Sequence, residues 1–169
     1  MGYVHDTDMS QFISPFACAY TAGTWTPTIG TNMVENVRTA ADASFTILIP
    51  IEVPSNGVAL KGSYLKSIDI YYSIATAAAD AVAGLAVDKL TLAVDGTAVA
   101  GATVAVTQDT GHDTAAERLD IEDHTMTTTI TTPAWIDEDE HYVASLVVDA
   151  AAATVFSFIG ARANYTLRV

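Results

Sequence analysis

Residues 65–75 read LKSIDIYYSIA, and this stretch decides the fold class. Ser67, Asp69, Tyr71 and Ser73 fall on one side of a two-residue period, and Ile68, Ile70, Tyr72 and Ile74 fall on the other. By parity Leu65 and Ala75 join the first set. Lys66 joins the second, as the strand entry. Successive side chains of a strand point to opposite faces. The stretch therefore predicts an antiparallel strand with one face in a core and one toward water.

Working outward, residues 44–53 (SFTILIPIEV) alternate in the same way, with Phe45, Ile47, Ile49 and Ile51 in phase. Pro50 has no N–H for a central ladder, which places this strand near an edge or at a bulge. Residues 88–94 (DKLTLAV) and 97–106 (TAVAGATVAV) flank Asp95-Gly96. Asp-Gly between apolar runs predicts a tight hairpin, because both central residues of a type I′ turn need positive φ. Residues 125–132, 141–149 and 155–169 read as further strands, rich in Thr, Val, Ile, Phe and Tyr. The pattern predicts an all-β, antiparallel, jelly-roll-like β-sandwich of about eight strands.

Other segments are less regular. Residues 31–43 (TNMVENVRTAADA) suggest a short helix capped by Thr31 or Asn32, with Val34, Val37 and Ala41 on one face. The alanine-rich stretch 76–85 suggests one or two helical turns, or a loop crossing the end of the sandwich. Residues 108–123 form a polar loop with a helical turn around 115–119. Residues 1–30 carry neither period. Residues 1–24 are expected to form an irregular N-terminal arm and 25–169 the sandwich domain. Tyr3, Phe12, Phe16, Tyr20 and Trp25 are the candidate subunit-interface residues. They would hold the arm either to its own domain or to a neighbouring subunit.

Composition narrows the function classes. Seven basic residues face twenty acidic ones, for a net charge of −13. Phosphate binding needs Lys/Arg clusters, so nucleic acid is not an expected partner, and an anionic membrane is disfavoured for the same reason. Charged residues make up only 16% of the chain, against about 25% in an average domain. Contacts with other proteins could cover part of such a surface. The single cysteine, Cys18, can form no intrachain disulfide. Neither a secretory leader nor an apolar membrane-spanning run is read, so folding in a cytosol is expected.

No catalytic, cofactor-binding or metal-binding residue is assigned. Loop 108–124 collects Asp109, His112, Asp113, Glu117, Asp120, Glu122, Asp123 and His124, and residues 137–141 read DEDEH. Oxygen-rich loops can bind calcium, but no EF-hand spacing is present. Whether either loop takes a divalent cation is left open, with a solvated loop as the simpler reading. Glu52 and Asp69 are acidic residues on predicted strands, with nothing to show that they converge as a glycosidase pair. There is no G-x-S-x-G elbow, and Cys18 is expected to be a buried, inert thiol. Trp25, Trp135, Tyr71 and Tyr142 could stack sugars if exposed, although the simpler reading is that Trp135 plugs the end of the core and the tyrosines lie on sheet faces.

The segments GTWTPTIG (23–30), SIDIYYSIATAAAD (67–80), TTPAW (131–135) and FSFIGARANYTLRV (156–169) together resemble small virion structural proteins of tailed bacteriophages. That resemblance implies a capsid-decorating or capsid-associated subunit, without catalysis or cofactor. It also implies a homo-oligomer, with a trimer favoured, attached to a capsid or another virion protein after synthesis in the host cytoplasm. The alternative is a carbohydrate- or cell-surface-binding β-sandwich module.

Overall fold

The computed structural model describes residues 5–30, 33–55, 62–92 and 100–168. Among these residues thirteen strands form two antiparallel sheets. They are β1 (Asp6–Ile13), β2 (Ala19–Tyr20), β3 (Trp25–Ile29), β4 (Val34–Arg38), β5 (Ala43–Ile51), β6 (Ser63–Ala75), β7 (Ala81–Val82), β8 (Ala86–Thr91), β9 (Ala100–Val104), β10 (Val106–Gln108), β11 (Asp123–Ile130), β12 (Glu140–Ala150) and β13 (Val155–Arg168). The front sheet runs β10-β11-β6-β13-β4-β3, with β1 added on β13. The back sheet runs β2-β5-β12-β8-β9, with β7 added on β12. The fold is the expected all-β antiparallel sandwich. Among the described residues no helix is long and apolar enough to cross a membrane.

One core lies between the sheets. Ile68, Ile70, Tyr72 and Ile74 of β6 are fully buried, with Phe156, Phe158 and Ala161 of β13 beside them. Phe45, Ile47 and Ile49 of β5 and Leu146 and Val148 of β12 close it from the back. Leu65 is buried against its parity. The register of β13 on β6 shifts between Asn164↔Ser67 and Tyr165↔Leu65, so β6 carries an extra residue there. A bulge of this kind resets which face a side chain takes. Pro50 does lie at an edge. It pairs with Val143 of β12 on one side, while on the other β2 meets β5 only at Leu48 and Ile47.

Other expectations meet the structure less evenly. β8 and β9 pair from Val87↔Val104 to Thr91↔Ala100, whereas the Asp95-Gly96 turn lies outside the described residues. The run 97–106 is not one strand: β9 belongs to the back sheet and β10 to the front. The helical turn near 115–119 is present as α1 (Ala115–Arg118), with a capping box between Thr114 and Glu117. The helix expected within 31–43 is absent from its described part, where β4 stands instead. β4 buries Asn36 and Arg38 and leaves Val34 exposed, so its apolar residues do not mark its inner face. Residues 76–85 form no helical turn and cross from β6 in front to β7 behind.

The segment expected as an irregular arm contains a regular strand. β1 pairs with β13 over eight consecutive residues, from Asp6↔Arg168 to Ile13↔Ala161. Of its side chains only Ile13 is buried, so the backbone ladder forms without an apolar period to announce it. β13 thus meets β6 along one flank, and β4 and then β1 along the other. The changeover falls at Gly160, which has φ +139°. A Cβ there would lie 2.7 Å from the Ile13 carbonyl oxygen and 2.8 Å from the Phe12 ring. Only glycine allows both the backbone angle and that approach.

Candidate functional site: the outward face of the front sheet

Four strands, β1, β13, β6 and β11, set their outward side chains in rows. Phe12, Arg162, Asp69 and Thr127 stand opposite one another across the four strands. Ser10, Asn164, Ser67 and Thr129 form the next row, and Asp8, Thr166 and Tyr64 a third. All descend from one half of the alternation in LKSIDIYYSIA and from the Arg162/Asn164 alternation in β13.

Asp69 is the centre of this face. It is only 4% exposed although it points away from the core, because its neighbours cover it. Its Oδ2 accepts from Arg162 Nε at 3.0 Å, Arg162 Nη2 at 2.8 Å and Asn164 Nδ2 at 3.0 Å. Its Oδ1 accepts from the Thr127 hydroxyl at 2.8 Å. Burial alone would raise the carboxyl. The bonds from Asn164, Arg162 and Thr127 outweigh it and hold the group below the usual carboxylate range. Asn164 also donates to Ser67 Oγ at 3.1 Å. The Arg162 side chain remains 48% exposed, 6.0 Å from the Tyr71 ring.

Aromatic groups lie at both ends of the face. Phe12 is 58% exposed, its ring held across Gly160. At the other end Trp135 packs edge-on against Tyr64 at 4.7 Å, with the Arg168 guanidinium 4.2 Å from the Trp135 ring centre. Between them is a cleft of about 370 Å³ lined by Asp8, Met9, Ser10, Lys66, Ser67, Asn164 and Tyr165.

The face carries three ion pairs, Lys66–Asp8, Arg162–Asp69 and Arg168–Asp6. The other described basic side chains are elsewhere: Arg38 and Arg118 are buried, and Lys89 bonds to Glu140. These three pairs balance one another in a chain of net charge −13.

Of the interface candidates, Tyr3 lies outside the described residues. Phe12 sits on this face, and Phe16 is exposed on the 3₁₀ turn Pro15–Ala17. Tyr20 and Trp25 come together, with ring centres 4.2 Å apart, and pack toward Phe158 and Phe45 of their own core. Trp135 does not plug the core; its neighbour Ile136 does. Tyr142 is buried. Glu52 lines a separate cleft with Gln11, His141 and Tyr142, away from Asp69. Burial pushes the Cys18 thiol up to about 12, as an inert thiol requires. Among the described residues no three His, Cys, Asp or Glu side chains meet to hold a metal ion. Arg162 and Asn164 were not singled out from sequence. The ARAN alternation contained the signal, but only the register shows that both reach Asp69.

No protein-family model and no curated protein sequence matches the chain. Among solved structures it is similar to the CBM22-1–GH10 modules of Clostridium thermocellum endo-1,4-β-D-xylanase 10B complexed with xylohexaose. There the TM-score is 0.49 and the identity 9%, over 92% of this chain and 27% of that one. It is also similar to a family two carbohydrate esterase from Cellvibrio japonicus, with TM-score 0.45 and 5% identity over 98% and 36%. A third likeness is to the enzymatically active domain of bacteriophage CBA120 tailspike protein 4, with TM-score 0.37 and 7% identity over 97% and 19%. The chain spans at most about a third of the length of these proteins. At such identities and TM-scores the likenesses carry no argument about function.

Proposed function

We propose that this chain is a non-catalytic β-sandwich module that binds a neutral carbohydrate on the outward face of its front sheet. The observation that carries the reading is the Asp69 cluster. One buried carboxylate holds Arg162 and Asn164 side by side on an exposed surface, next to a flat aromatic ring, Phe12. A sugar ring presents hydroxyls at its edge and C–H groups on its face. Fixed planar donors suit the first, and exposed aromatic rings suit the second. Prearranged side chains also lose little freedom on binding. All Asp69 oxygens are engaged, which leaves no free carboxylate there for acid–base chemistry. The patch offers no excess of basic side chains over its paired carboxylates, so an uncharged glycan fits it better than a polyanion.

Affinity electrophoresis tests the reading. Gels would contain soluble xylan, galactan or β-glucan, with polygalacturonate as the anionic comparison. Retardation by a neutral polysaccharide is expected, with loss in Phe12→Ala and Arg162→Ala. Equal mobility in every gel overturns it.

A second reading, the virion structural subunit, is favoured by a different surface. Leu48 and Val147 are exposed on the back sheet, and Phe16 on the nearby N-terminal turn. Apolar groups of this kind could pack between subunits of a homo-oligomer, a trimer by preference, on a capsid. Light scattering coupled to size exclusion distinguishes it: a strict monomer at all concentrations counts against assembly.

A further inference from the structure

Behind the Asp69 cluster runs a second hydrogen-bonded chain that carbohydrate contact does not use. His124 of β11 is buried, its ring stacked 4.5 Å from Tyr72, and Tyr72 stacks on Phe156. His124 Nε2 is 3.0 Å from the Asp120 carbonyl oxygen. His124 Nδ1 is 3.3 Å from His112 Nε2, and His112 Nδ1 is 2.9 Å from Asp109 Oδ1.

Both ends of this chain are acceptors. A carbonyl and a carboxylate offer no proton, so His124 donates from Nε2 and His112 from Nδ1. The central contact then needs a proton of its own, because otherwise two imidazole lone pairs point at each other. That makes three protons on two rings, one more than two neutral imidazoles carry. We infer that His112 and His124 share a single positive charge, and that this charge fastens residues 109–124 over the end of the front sheet and makes its hold on the binding face pH-dependent.

The groups around the pair fit that charge. Asp109 contacts it from the end of β10, and the Glu122 carboxylate is 3.9 Å from His124 Nδ1. Glu117 accepts from the Thr114 N–H at 3.0 Å and hydroxyl at 2.8 Å, and these bonds, with a smaller contribution from His112, hold its carboxyl below the usual range. From α1, Arg118 Nη1 donates to the His112 carbonyl at 2.6 Å and its Nε to the Val82 carbonyl of β7 at 2.9 Å. From β6, the Tyr72 hydroxyl donates to the Arg118 carbonyl at 2.9 Å, and burial keeps that phenol neutral. The carboxylates outnumber the one arginine. The chain also reaches the site: Asp109 Oδ2 accepts the Thr127 N–H at 2.6 Å, and the Thr127 hydroxyl donates to Asp69. The consequence for binding rests on the sheet-face reading, whereas the shared charge does not.

Histidine is the side chain whose charge changes across the physiological range. Without the third proton the two lone pairs stand opposed across the 3.3 Å contact, so a pH series is the way to withdraw it. The experiment is ¹⁵N-imidazole NMR of the full chain through a pH series, with amide exchange corrected for its intrinsic base catalysis. On His112 and His124 together, three ring N–H groups are expected on the acid side and two on the alkaline side. The same step should speed exchange of the Thr127 amide, and of the Gly111 amide that donates to Asp109 Oδ1 at 3.0 Å, about tenfold while Ile47 in the back sheet is unmoved. In His112→Gln, which bonds but carries no charge, the step should vanish; His124→Gln gives the same test from the other ring. Two ring protons at every pH where the fold is intact overturns the inference. So does loss of the third proton without any change at Thr127. Xylan retardation measured across the same series separates the two readings. A proton step without retardation at any pH fails the binding reading alone, and retardation without the step fails this one alone.

Discussion

The two sheets share one core but differ on their outer faces. The front sheet cross-links its outward side chains over three strands through Asp69 and ties in β1 through Asp6 and Asp8, with three ion pairs and an aromatic ring at each end. Among the described residues the back sheet's outward side chains bond between neighbouring strands, as in Ser44–Asp149 and Thr103–Asp88, and leave Leu48 and Val147 exposed. A solvated sheet face needs no such network for folding, since isolated surface polar contacts contribute little. The concentration of fixed polar groups on one face is the observation on which the proposed binding face rests.

The largest way to break that contrast is Gly160→Ala. It combines a left-handed backbone angle with a clash against the Ile13 carbonyl, and should cost about 3 kcal/mol or more in urea unfolding. Next is Asp69→Ala, which strands Arg162, Asn164 and Thr127 together. Because Arg162 is half exposed, the expected loss is about 2 kcal/mol, the low side of a broken buried pair. The matched back-sheet change, Asp88→Ala, should cost under about 0.5 kcal/mol. Equal losses would erase the distinction between the faces.

Acid sharpens it further. The Asp69 carboxyl is held below its unfolded value, so its contribution is present above that value and is lost as pH falls through the folded one. Urea midpoints followed from neutral into acid should fall in the wild type and fall less steeply in Asp69→Asn. Phe12→Ala should change stability by less than about 1 kcal/mol, since the ring is largely exposed, yet abolish retardation by neutral polysaccharide. Smallest of all, Leu48→Ser with Val147→Ser should stay within about 0.5 kcal/mol and leave retardation intact. A change in oligomeric state in that double variant would instead support the subunit reading.

Much of the sandwich was legible because β5, β6, β12 and β13 alternate cleanly, and alternation reports burial directly. It failed where burial and polarity part company. β4 puts Asn36 and Arg38 inside: the guanidinium donates to the Ala41 and Ala43 carbonyls and lies 4.7 Å over the Phe45 ring. No hydrophobic period can show such a strand. β1 was hidden for the opposite reason, since it buries almost nothing. The site was half legible. Asp69 and the outward face of β6 follow from parity, and Phe12 stands out in sequence as a large apolar group in a segment without a period. The meeting of Arg162 with Asp69 depends on pairing between residues 93 apart, which local pattern does not report.

The placement of β13 has a kinetic consequence. It is the last of the thirteen strands, yet β1, β4 and β6 all pair with it. On the ribosome the back sheet can assemble β5 on β12 while the front sheet still lacks its middle. The edges of β1, β4 and β6 then stay open until β13 emerges, and closing β1 on it joins residues 158 and 162 apart in sequence. Such high contact order slows folding and leaves unpaired edges exposed in the meantime. The carboxylates of β1, Asp6 and Asp8, are then without their β13 partners, and their charge guards the open edge against other chains.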